Sequence, residues 1–159
     1  MQGIVRTNLA TLPSDVALQP DGKILVAVQA VVGGTVIFGV VRFEGDGDVD
    51  TGFGNSGLAT ARFSTLSDYA KAVAVQSGGE IVVAGQSSNL MNADFGVARF
   101  TAGGTLDDSF DGDGMLTVDF FGSSDGAECA AIQTDGKIVV GGFARNGTST
   151  GLGLVRVLP

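Results

Sequence analysis

Three glutamines, Gln19, Gln76 and Gln133, each open a near-identical pentapeptide (QPDGK, QSGGE, QTDGK) at a constant interval of 57 residues. The phase holds away from the glutamines: Gly22, Gly79 and Gly136 coincide, as do Arg42, Arg99 and Arg156 within VVRF, VARF and LVRV. The chain of 159 residues is therefore three copies of one unit. A supersecondary unit of this length cannot bury its apolar faces alone and is stabilised by stacking on its neighbours.

Within each unit the apolar runs are short, β-branched and bounded by Gly, Asp or Asn. VALQ, VAVQ and AAIQ end at the glutamines, KILVAVQ, EIVVAGQ and KIVVGGF follow, and VIFGVVRF, FGVARF and LGLVRV come third. A helix would need about ten or more residues with three-to-four-residue apolar spacing, so the fold class is all-β. A fourth strand is read in GLATARF at 57–63 and MLTVDF at 115–120, with GIVRT at 3–7 as the counterpart, which predicts twelve strands. Asp21-Gly22, Gly78-Gly79 and Asp135-Gly136 supply hairpin turns between the first two strands of each unit. Between the second and third strands stand Gly33-Gly34, a longer loop from Ser87 to Ala93, and Asn146-Gly147. That variable rim is suited to binding. Asn146-Gly147-Thr148 is also a glycosylation sequon, though the turn accounts for it.

The whole of 1–159 then reads as one repeat domain with approximate repeats 16–72, 73–129 and 130–159. The last repeat lacks an outer strand, and the N-terminal strand 3–7 is the spare piece that would complete it. Such an offset is how a ring of four-stranded blades is closed.

Composition removes several function classes. With 44% hydrophobic and 16% charged residues, the chain is long enough to bury about two-thirds of its unfolded surface. A formal charge of −8 repels a phosphate backbone, so no nucleic-acid partner is expected. No apolar run approaches the roughly 18 residues of a membrane helix, and no membrane insertion is expected. The opening residues lack the basic flank and apolar core of a signal peptide. Cys129 is the single cysteine, which forbids an internal disulfide and fits a small core residue in ECAAIQ.

The order AVAVQSGGEIVVAG, DFGVARF, GGTLDDSFDGDG and LTVDF in the middle unit resembles the bacterial delta-60 repeat family over nearly the whole chain. The chain departs from that pattern at Val28, where glycine is usual, between Thr7 and Ser14, and at Leu152 to Leu154. The resemblance implies β-propeller blades, often in long arrays on large secreted or surface proteins, hence an extracellular or cell-surface location. It implies no catalytic residue. Three four-stranded antiparallel blades leave two terminal faces in water, and a homodimer would close them into six blades, with strand exchange at the termini. The competing fold is a β-trefoil, which also uses twelve strands in three repeats.

The chemistry-bearing residues are few. Asp107, Ser109 and Asp111, followed by Gly112 and Asp113, match the opening of a calcium loop, the one cofactor the chain suggests. Position twelve is Val118 rather than a bidentate glutamate, and such residues also shape a solvated turn. Asp46, Asp48 and Asp50 of the first unit read as out of phase with that loop. Arg42, Arg99 and Arg156 sit at strand ends leading into acidic loops, where pairing with a nearby Asp is the simpler account than an acidic ligand. Gln19, Gln76 and Gln133 end the presumed innermost strands and would ring a channel mouth, either binding a small polar ligand or satisfying turn carbonyls.

No histidine is present, which removes the commonest general base and metal ligand. Paired carboxylates such as Asp107 with Asp111 could serve glycoside hydrolysis only from a loose glycine-rich platform. Trp is absent and Tyr69 stands alone, so a sugar platform is poorly furnished. The expected function is a non-catalytic binding or scaffold module for a protein or a small polar ligand. The alternative is a calcium- or glycan-binding propeller of a bacterial surface protein.

Overall fold

The computed structural model describes Ile4, Arg6, Thr7 and residues 11–158. Eleven strands are present among them: β1 (Thr11–Leu18), β2 (Ile24–Val32), β3 (Thr35–Phe43), β4 (Leu58–Ala61), β5 (Tyr69–Val75), β6 (Ile81–Ser88), β7 (Ala93–Phe100), β8 (Met115–Val118), β9 (Gly126–Ile132), β10 (Ile138–Asn146) and β11 (Ser149–Val157). They form three separate antiparallel sheets: β1-β2-β3-β4, β5-β6-β7-β8 and β9-β10-β11. Strand pairing stays within each repeat, the arrangement of propeller blades, whereas a trefoil needs barrel strands shared between repeats. Of the twelfth strand expected at 3–7, Gly3 and Val5 lie outside the described residues, and Ile4, Arg6 and Thr7 belong to no strand.

Each glutamine closes the first hairpin of its blade. Gln19, Gln76 and Gln133 take the carbonyls of Lys23, Glu80 and Lys137 with their backbone N–H groups, and their own carbonyls receive Gly22, Gly79 and Gly136. These glycines have φ of 88°, 95° and 82°, so the turn needs a residue without a Cβ there. The 57-residue phase of QPDGK is thus a turn requirement.

The first strand of each blade carries a β-bulge, at Ser14, Lys71 and Glu128, which share that phase. An extra residue bends and twists the strand. β5 also touches both β1 and β9, which places these first strands innermost. Lys71 and Glu128 pair across the second joint with Nζ and Oε2 3.7 Å apart.

Two joints form most of the core and repeat residue for residue, beside a smaller cluster of Val28, Ala30, Ile37 and Val41 in blade 1. Leu25, Ala27, Phe38 and Val40 of blade 1 meet Ala70, Ile81, Val83, Ala98 and Phe100 of blade 2. Val82, Ala84, Phe95 and Val97 of blade 2 meet Ala127, Ile138, Val140, Val155 and Val157 of blade 3. Phe38 and Phe95 are fully buried, each worth about 1.5–3 kcal/mol in transfer terms. Phe38 also meets Phe63 edge-on at 4.9 Å, and Phe95 meets Phe120 at 5.0 Å.

Candidate functional site

At the end of the third strand of blades 1 and 2, the chain turns into a loop whose backbone bonds are identical in phase. Asp50 and Asp107 donate their N–H groups to Arg42 and Arg99 carbonyls, and Phe53 and Phe110 donate to Asp50 and Asp107. The side chains close the same circuit. Arg42 Nε lies 2.7 Å from Asp50 Oδ2 and stacks its guanidinium over Phe53 at 4.3 Å. Arg99 Nε lies 2.8 Å from Asp107 Oδ2 and covers Phe110 at 5.0 Å. Asp50 is thus the counterpart of Asp107, against the sequence reading that placed it out of phase. The 57-residue interval already aligns Asp50 with Asp107, each eight residues after its arginine, and the pairing with Arg42 confirms that register among the alternating acids of EGDGDVD.

The acidic loop is largely engaged in this clasp. Asp107 Oδ1 accepts from Ser109 N and Oγ, and Ser109 Oγ also takes Arg99 at 2.8 Å. Hydrogen bonds from Ser109, with Arg99 beside it, hold the Asp107 carboxyl below its usual range. Asp113 accepts from Met115 N, and Asp111 sits at φ 51° facing solvent. The structure therefore brings Asp107 and Ser109 together around a guanidinium, with Asp111 and Asp113 outside that contact. In blade 1, Lys23 joins the clasp, and its hydrogen bond to Asp50, helped by Arg42 and opposed by burial, lowers Asp50 to about 2. Arg156 is exposed at the open end of the chain.

The glutamines occupy equivalent turns in different surroundings: Gln76 is buried, Gln19 half-buried and Gln133 exposed. Gln76 donates from Nε2 to the Gly136 carbonyl at 2.7 Å, tying blade 2 to the first turn of blade 3. Its Oε1 is buried and, among the described residues, receives no hydrogen bond, as does Gln19 Oε1. Gln76 also lines a cleft of about 330 Å³ with Ser77, Gly78, Glu80, Arg99, Asp107, Ser109 and Gly136. Two sets of sequence candidates thus converge at the second joint, where Gln76 carries a buried, unused acceptor.

Two further groups were not singled out from sequence. Asp68 and Asp125, both fully buried, stitch each joint at the opposite end of the blades. Asp68 accepts from Phe63 N at 3.1 Å and Ser88 N at 3.0 Å, and Asp125 from Phe120 N and Arg145 N at 2.8 Å each. Burial pushes Asp68 up. Asp125 also belongs to an acidic group with Asp94 and Asp119, whose carboxylate oxygens lie within 4.8 Å of one another. Burial, then the nearby Asp119 charge, raises Asp94, and its Oδ1 has no hydrogen-bond donor among the described residues. Blade 1 has Ile37 and Arg62 at the positions of Asp94 and Asp119, so the repeat explains Asp125 and leaves the other two acids unexplained.

No curated protein matches the chain closely enough to count as a relative. The DUF5122 beta-propeller family, a domain of unknown function, matches residues 19–53, 76–110 and 133–159. Each match begins at one of the three glutamines and spans the hairpin, the third strand and, in the first two, the arginine clasp. The chain belongs to this β-propeller family.

Proposed function

We propose that the chain is a non-catalytic β-propeller binding module that takes a small polar ligand at the cleft of the blade 2–blade 3 joint. The observation that carries this reading is the orphaned Gln76 Oε1: a buried carbonyl oxygen without a donor costs about 1–3 kcal/mol, which a ligand hydroxyl or amine would recover. Arg99 and Asp107 are held by one another and by Ser109, so they shape the cleft rather than react in it. Likeness to delta-60 repeats adds the setting, a surface protein of bacterial type.

The test is a polyol, amino-acid and glycan panel read by thermal shift on the chain and on Gln76→Leu. A ligand that stabilises the chain and not the variant supports the cleft. Equal stabilisation of both removes it.

Calcium is the second reading, and it moves from the Asp107 loop to Asp94, Asp119 and Asp125. It is favoured by the unpartnered Asp94 oxygen and by Asp119, whose Oδ1 takes the Phe121 and Gly122 amides and which has no cationic partner among the described residues, both specific to blade 2. Calcium should raise the melting temperature of the chain and leave Asp94→Asn unchanged. No shift in either would end this reading.

A further inference from the structure

The two ends of the chain carry the same pair of surfaces that meet inside it, the blade 3 face open to solvent and the blade 1 face partly covered, with Val28 and Val41 already buried. By repeat phase, Leu152 and Leu154 of blade 3 stand where Phe38 and Val40, then Phe95 and Val97, stand in the internal joints. Both are solvent-facing, at 83% and 63% exposure. Ile24, Val26, Val41 and Phe43 of blade 1 stand where Ile81, Val83, Ala98 and Phe100 receive blade 1. Val26, Val28, Val41 and Phe43 line a cleft of about 230 Å³, with Pro13 and Thr7 at its side. Val16 and Leu18 continue this face at 60% and 73% exposure.

Where the end faces depart from the repeat, they depart in complementary directions. At the first joint the Phe38 ring lies over Gly85 and Gly96, where an added methyl group would meet it at 3.0 and 3.2 Å. On the end faces the knob has shrunk to Leu152, and the glycine equivalent to Gly85 has grown to Val28. The lost ring and the gained isopropyl group offset one another in volume where these two faces meet.

Charge departs in the same paired way. Arg42, already neutralised by Asp50, reaches across the first joint to the Ala102 carbonyl at 2.6 Å, in the uncharged loop TAGG. Arg156 has no carboxylate partner among the described residues, and the loop equivalent to TAGG in blade 1 is the acidic EGDGD at 44–48, where Lys23 holds Glu44 and, among the described residues, Asp46 and Asp48 have no cation. A free guanidinium is thus matched to a run of acids where an internal one is matched to neutral backbone.

We infer that a second copy of this chain docks its blade 3 face on the blade 1 face of the first, and reciprocally, closing a six-bladed ring. Propellers typically have about four to eight blades, and six is the multiple of three in that range. A twofold axis makes both new joints identical. Docking displaces Thr7 from the blade 1 cleft and seats Leu152 and Leu154 there, with Arg156 against Asp46 and Asp48 of the other copy.

Light scattering on the purified chain tests this. The expected mass is twice 16.0 kDa. Leu154→Glu, at an exposed position that a single copy does not need, should give the monomer mass with unchanged circular dichroism. Arg156→Glu should weaken association about tenfold or more. Asp46→Lys with Asp48→Lys in that background should restore it. A monomer at every concentration overturns the proposal, as does a mass that grows beyond two copies, since an open head-to-tail array has not closed. A dimer indifferent to Leu154→Glu, or an unrestored charge swap, also overturns it.

Discussion

Asp50 shows how much a single residue can concentrate in a repeat. It is 8% exposed, bonded by Lys23 and Arg42, and its N–H is tied to the Arg42 carbonyl. Its folded value of about 2 lies below the ordinary 3.8, so the stability it contributes is present above 3.8 and lost as pH falls through about 2. Asp50→Asn should cost on the order of 2 kcal/mol at neutral pH and flatten the acid limb of the stability curve. Urea unfolding across that range measures both, and an acid limb as steep in the variant as in the parent would remove Asp50 as its source. Asp68 is the other case. Truncation to alanine strands the Phe63 and Ser88 amides in a buried joint and should cost about 3 kcal/mol, whereas the exposed Asp108→Ala should stay within about 0.5. A loss below 1 kcal/mol for Asp68→Ala would show that water satisfies those amides. Asp68 and Asp125 escaped the sequence reading because they form a pair, not a triplet, in otherwise dissimilar loops, SDY and SDG. The arginines were legible because three copies of one residue type survive at strand ends.

The elements were legible wherever turn chemistry is strict, and less so where backbone geometry alone decides. β1 begins at Thr11, five residues before the apolar run VALQ, and includes Pro13. Proline is tolerated there because β1 pairs on one side only, with β2. The bulges at Ser14, Lys71 and Glu128 carry three unrelated side chains, so no residue pattern announces them. Opposite the bulge, blades 2 and 3 carry a glycine where blade 1 has Val28. A methyl group at Gly85 would overlap the Tyr69 carbonyl oxygen, and one at Gly142 the Gly126 carbonyl oxygen. Both overlaps are with backbone and cannot be relieved by a rotamer. Gly85→Ala and Gly142→Ala should each lower stability by about 1–3 kcal/mol, and Gly151→Ala, with open space around its Cβ, should be neutral or slightly stabilising. Thermal unfolding of the three variants checks this ordering, and a Gly151→Ala loss equal to that of Gly85→Ala would discard the steric account.

At the scale of the whole molecule, the blades were legible from the 57-residue phase, but the use of each end was not, because a phase reports likeness and the ends matter through difference. Leu152 against Val28, and Arg156 against the acids at 44–48, acquire meaning only once the internal joints show which positions face each other. If the ring forms, folding and association are linked, and the melting temperature must rise with protein concentration. The slope should vanish in Leu154→Glu, where each copy unfolds alone. It should be reduced at high salt for the parent chain, since the Arg156 contact lies at an accessible rim and is screened over about 8–10 Å at ordinary ionic strength. The apolar part of the joint persists under those conditions, so salt should diminish the slope without erasing it. Calorimetry over a hundredfold range of concentration distinguishes these cases. A melting temperature independent of concentration, in a chain whose end faces carry leucines at 83% and 63% exposure, would mean that those faces await a different partner.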